Sequence, residues 1–127
     1  MYPKYKCQKL IAEHSDRLRK ELRIPKTYKI TWYVMSTKTK ITKKFGMTQM
    51  DNTHAVTYIG ANHTFDIVLF YDMAKSRKDA LATIIHELLH VKIHPLAQMV
   101  TLMQDKALTK EEEIVTTLER FIIKYYK

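Results

Sequence analysis

Cysteine is almost missing from this chain: Cys7 is the only one. An intrachain disulfide is excluded, and so is a four-cysteine metal site. Two glycines and three prolines in 127 residues leave no room for a Gly- or Pro-rich linker, a low-complexity tract or a repeat array. No apolar run approaches the roughly 18–20 residues that span a bilayer. The stretch MYPKYKCQKLIAEHSDRLRK carries charge throughout and has no continuous apolar segment, so it does not read as a secretory signal. The expectation is a cytoplasmic protein with no membrane segment.

Acids are scarce in the first part. Residues 1–50 hold only Glu13, Asp16 and Glu21 against 13 Lys+Arg, while residues 51–127 are close to balanced; the whole chain carries +9. A basic half suits an acidic or nucleic-acid-associated protein partner, although for the charge alone a lysine-rich solvated surface is the better explanation. What is present is ordinary for a globular chain: 46% hydrophobic and 28% charged residues, in a length that makes one domain with one modest core.

Residues 5–22 place Leu10, Ile11, His14, Leu18 and Leu22 at helical spacing, and Pro25 closes the segment. YKITWYVM (28–35) is β-branched and aromatic and reads as a strand. The polar stretch that follows, with Gly46 and Asp51-Asn52 as turn signals, reads as a loop or a ragged edge strand. HAVTYI (54–59) and TFDIVLFY (64–71) are two more strands around the turn GANH. From Ser76 onward the pattern is helical, opened by a Ser76/Asp79 capping box. Pro95 is expected to end or kink that helix, with a short helix over 96–105. In the last helix Ile114, Val115, Leu118, Phe121, Ile122 and Tyr125 share one stripe. Helix, strands, then helices is the order of an α+β domain, a single unit over 1–127. The sheet is small, of about three strands.

The chemistry concentrates in TIIHELLHVKIHPL, residues 83–96. His86-Glu87-Leu88-Leu89-His90 is H-E-x-x-H. On a helix His86 and His90 lie one turn apart on one face, so both imidazoles reach one ion. Glu87 lies about 100° around, beside that face and off it. A core helix with hydrogen-bonded histidines is the bland alternative, but the apolar flanks would bury these groups, and buried His and Glu need partners. A catalytic zinc takes three protein ligands and keeps a position open. His94 is roughly 12 Å of rise beyond His86 and cannot share the ion; it reads as a helix-end histidine favoured by the dipole. No histidine follows it. The remaining donors are Asp105, Glu111, Glu112, Glu113 and Glu119. Acids at a helix start also suit the dipole without any metal. Periodicity puts Glu111 nearest the apolar stripe, in line with Val115, and puts Glu113 furthest from it.

HELLH followed some twenty residues later by EEIVTTL resembles the gluzincin zinc metallopeptidases, above all the small minigluzincins and phage-type metallopeptidases. The resemblance covers roughly residues 64–122. It implies a zincin-like fold with an active-site helix and one zinc per chain, held by His86, His90 and a glutamate of the next helix. Glu112, with the polar Thr116 four residues on to support the histidines, fits the group's spacing better than Glu111, which stays the runner-up. Thr116 stands where the larger members have an acid. The implied activity is peptide-bond hydrolysis of a protein or peptide substrate, in an enzyme that is active or latent. Glu87 is then the general base, and the oxyanion partner is one of Tyr71, His63, Tyr125 and Tyr126. Strand 64–71 would pair with an extended substrate. The rival reading is a basic nucleic-acid-associated binding protein with a structural or inactive zinc site, in which Trp32, Tyr28 and Tyr33 stack on bases.

Overall fold

The computed structural model describes residues 2–37, 53–101 and 107–126. Helix α1, Lys4–Glu21, turns Cys7, Leu10, Ile11 and Leu18 inward at helical spacing. Burial pushes the Cys7 thiol up to about 11, so the lone cysteine is inert near neutral pH. The helix ends where Arg23 adopts a left-handed φ of 56° and the Ile24 N–H closes on the Arg19 carbonyl.

Three strands follow: β1 Lys29–Met35, β2 Ala55–Ile59 and β3 Thr64–Phe70. Their spatial order is β1-β3-β2, with β1 parallel and β2 antiparallel to β3. Asn62 and His63 take left-handed φ values of 56° in the β2–β3 turn. β3 is central and buried on both faces, which explains its nearly unbroken apolar run. Phe65, Ile67 and Leu69 face the helices and the main core; Val68 and Phe70 face a smaller cluster with Met35. The expectation that this strand pairs with substrate is therefore corrected: both its edges are taken. Among the described residues the edge beside the helices' histidines belongs to β2.

Helix α2, Arg77–Thr101, carries the motif. Ser76 Oγ accepts the Asp79 N–H at 3.2 Å. The Asp79 carboxylate reaches one residue further back than a capping box predicts, to the Lys75 N–H at 3.0 Å. The helix continues through Pro95, so Pro95 does not end it, and a separate helix beginning at 96 is not found. Helix α3, Ala107–Tyr125, lies against α2. Three helices and a three-stranded mixed sheet make a small α+β domain. The lysine-rich segment 38–52, including Lys38, Lys40, Lys43 and Lys44, lies outside the described residues, as does Asp105. No helix among the described residues is long and apolar enough to cross a membrane.

Candidate metal centre

α2 buries Ile84, Ile85, Leu88 and Val91 in the core. That orientation leaves His86 and His90 on the flank facing α3, with 20% of each side chain exposed. Their rings are 4.8 Å apart and meet edge to face. Each ring uses its two nitrogens differently. His86 Nδ1 donates to Glu119 Oε2 at 2.6 Å, and His90 Nδ1 donates to Glu111 Oε1 at 3.0 Å. With the proton on Nδ1, the Nε2 lone pair of each ring points inward.

The two Nε2 atoms are 3.1 Å apart. Glu112 closes the group from α3: Oε1 lies 3.0 Å from His86 Nε2 and Oε2 lies 2.9 Å from His90 Nε2. Two imidazole lone pairs and a carboxylate converging in this way fit a cation. An ion with bonds of about 2.0–2.1 Å in tetrahedral array spaces its ligand atoms roughly 3.3 Å apart, close to the observed separations. His86, His90 and Glu112 can bind a metal ion. They are the three residues that the motif and the resemblance single out.

The carboxylate run on α3 divides its labour. Glu112 is exposed on the cleft side and Glu113 is exposed. Glu111 is only 6% exposed. Periodicity correctly sets Glu111 nearest the buried face, but it meets the outer nitrogen of His90 instead of the inner one. Thr116 does not support the histidines; Glu119 and Glu111 do. The stripe expected on α3 is also rotated. Val115 is fully buried, whereas Ile114 is 42% and Leu118 38% exposed. The helix turns toward its acids because three of them meet α2's histidines. The side chain of Tyr125 lies outside the described residues.

Glu87 is 5% exposed and sits beside the trio. Its Oε2 accepts a hydrogen bond from Thr57 Oγ1 on β2. Register explains the contact: Thr57 is opposite Ile67 of β3, so it shares the face turned toward α2. Burial raises the Glu87 pKa, partly opposed by the Thr57 hydrogen bond and by His90 and His86. For His86, burial lowers the pKa, but the Glu119 hydrogen bond and the charges of Glu87, Glu119 and Glu112 outweigh it, so the net direction is up.

Two cavities flank the trio and share Ala55, His86, Glu87 and Glu112. One, of about 380 Å³, runs past Thr57 to Ile59 and His94. The other, of about 370 Å³, runs to His54, Asp79 and Glu119. Among the described residues neither is lined by lysine or arginine, in a chain with 22 of them. The described lining is therefore acidic in a chain of net charge +9.

Among the described residues, none of the expected oxyanion partners lines this cleft. Tyr71 packs against the core. His63 stacks on Tyr28 at 4.7 Å. Tyr126 OH bonds His14 Nδ1 at 2.7 Å. Sequence reasoning missed Thr57, for which no local signal exists, and kept Glu119 only among the candidate metal donors, not as the partner of His86 Nδ1. For Glu119 a signal was available: it lies seven residues, two helical turns, beyond Glu112. Comparison with known proteins finds no matching family model, no matching curated protein and no matching solved structure.

Proposed function

We propose that this protein is a zinc-dependent peptide hydrolase of the gluzincin kind, with His86, His90 and Glu112 as ligands and Glu87 as general base. The observation that carries the reading is the pairing of two structures in one cleft. A three-donor cation site stands beside a buried carboxyl that is not one of its donors. A site that only held a metal would have no use for Glu87 there. Two imidazoles and one carboxylate, with cavities on both sides, suit zinc with a position left open.

Bound zinc supplies Lewis acidity, which polarises a carbonyl and makes water nucleophilic near neutral pH. The chain's own residues do the rest. Glu119 and Glu111 hold the two rings with Nε2 turned inward. Thr57 occupies one oxygen of Glu87, which leaves Oε1 to take the proton of the attacking water and return it to the leaving nitrogen. Among the described residues the outer edge of β2 is unpaired along the cleft, and an extended peptide can lie against it by strand addition.

The nucleic-acid reading has less support. Tyr28 stacks on His63 and on Phe65, and Trp32 packs against the main core, so these rings are used inside the fold. The test is cleavage of an unfolded protein by wild type and Glu87→Gln at matched zinc occupancy. Zinc bound by both, with hydrolysis by wild type alone, is the expected result. Equal cleavage by the two proteins would move the chemistry elsewhere.

A further inference from the structure

Glu111 is nine-tenths buried, yet it is satisfied on one side only. Oε1 takes the proton of His90 Nδ1 at 3.0 Å. Among the described residues Oε2 has no hydrogen-bond partner, although it is closed off from solvent. A buried carboxylate oxygen without a donor is costly and is expected to find one. A donor at hand among the described residues is His94, whose Nδ1 lies 3.9 Å from Oε2, with 15% of its side chain exposed. That distance is roughly 1 Å longer than a hydrogen bond, a gap that a small rotation of the imidazole closes.

His94 comes one turn after His90, as His90 comes one turn after His86. All three rings present Nδ1 to a carboxylate of α3: His86 to Glu119, His90 to Glu111, and His94 to the same Glu111. The third histidine of the face is too far along the helix to reach an ion held by the first two. It stands in the right place to hold what holds the second.

We propose that His94 is a positioning residue for the metal centre. Its Nδ1–H engages Glu111 Oε2, fixes the carboxylate between two imidazoles, and so keeps His90 Nε2 aimed at the ion. This rests on the reading of His86, His90 and Glu112 as the zinc ligands. Without His94, Glu111 keeps one anchor and can turn about it, and His90 loses the rigid acceptor that sets its ring and its tautomer.

The test uses zinc itself, with affinity measured by competition with a chelator, and the visible spectrum of the cobalt-loaded protein as a second readout. His94→Leu keeps the volume and removes the donor. His94→Asn keeps an N–H donor close to the position of Nδ1. His94→Leu is expected to weaken zinc binding on the order of tenfold or more, the scale for losing an outer partner, and to alter the cobalt spectrum. His94→Asn is expected to stay close to wild type. Adding His94→Leu to Glu111→Gln should produce little further loss, because both act through one path. If His94→Leu does not fold, His94→Ala takes its place against His94→Asn.

A role in packing alone would favour leucine over asparagine at this half-buried position, or weaken both alike. Either outcome overturns the proposal, as does a Leu variant with wild-type zinc affinity. The control is His90→Ala. Loss of zinc there with full binding by His94→Leu removes this inference and leaves the zinc site standing. A wild-type protein that binds no zinc removes both.

Discussion

At the scale of single residues, the divide between what was legible and what was not follows sequence distance. His86, Glu87 and His90 were readable because five consecutive helical positions fix their mutual geometry. Thr57 was not, since its contact with Glu87 spans 30 residues and depends on strand register. It supports a definite expectation. Thr57→Val keeps the shape and removes the hydroxyl, leaving a buried carboxyl oxygen without its donor. The cost is about 1–3 kcal/mol of stability, read by denaturant unfolding. Hydrolysis should fall through kcat more than KM, while zinc affinity stays unchanged; Thr57→Ser should recover most of the loss. The neighbouring Glu87→Gln is the sharper case. It should retain the fold and the zinc and lose hydrolysis by on the order of a hundredfold or more, the usual scale for a missing general base. A Thr57→Val protein that loses zinc would show that this threonine holds the helix and not the base.

At the scale of elements, the periods placed α1 and all three strands to within a residue or two, yet misjudged the rotation of α3. The apolar stripe through Ile114 and Leu118 gave one answer, and the acids gave another. The acids prevail because an unpaired buried carboxylate or imidazole costs more than leaving part of an isoleucine in water. Two measurements follow. Val115→Ala should cost about 2 kcal/mol or more, as a fully buried side chain does, and Ile114→Ala on the same helix should cost clearly less. For zinc, Glu112→Gln should cause the largest loss of affinity. Glu111→Gln and Glu119→Gln should each cost roughly 10- to 100-fold through the histidine they hold, and Glu113→Gln should change little. Equal effects of Glu112→Gln and Glu113→Gln would detach α3 from the metal. Pro95 is a second lesson at this scale. A helix-breaking residue is a local signal, and α2 runs through it, since tertiary context can outweigh one lost hydrogen bond.

At the scale of the whole molecule, the sequence indicated the α+β class but not which strand borders the cleft, since strand order is a property of pairing and not of any one segment. Nor did a net charge of +9 indicate that the cleft itself would gather acids. That gathering has a consequence for how the protein responds to pH. In the metal-free protein, His86 holds its proton more tightly when folded, because Glu119, Glu87 and Glu112 surround it. The stability it contributes is fully present below its unfolded value of ~6.5 and is lost as pH rises through the higher folded value. Glu87 acts in the same sense from a lower start. Burial raises its folded pKa, so its contribution is present below ~4.3 and is lost as pH rises through the raised value. Asp72, lowered overall despite burial by its hydrogen bonds from Thr37 and Ser36, works in the opposite direction. Its contribution is present above ~3.9 and disappears only as pH falls through its depressed value. The metal-free protein should therefore be most stable on the acid side of neutrality and weaken as pH rises above ~6.5. With zinc as the proposed ion, the slope should reverse. His86 must give up a proton for Nε2 to become a ligand, so zinc affinity rises with pH through that raised pKa, and the stabilisation by saturating zinc grows with it. Denaturant melts at pH 5, 6, 7 and 8, in chelator and in excess zinc, should give curves that diverge as pH rises. His86→Gln should flatten the chelator series and remove the difference between the two. Parallel curves for the wild type would mean that neither His86 nor a metal at its Nε2 governs the stability of this fold.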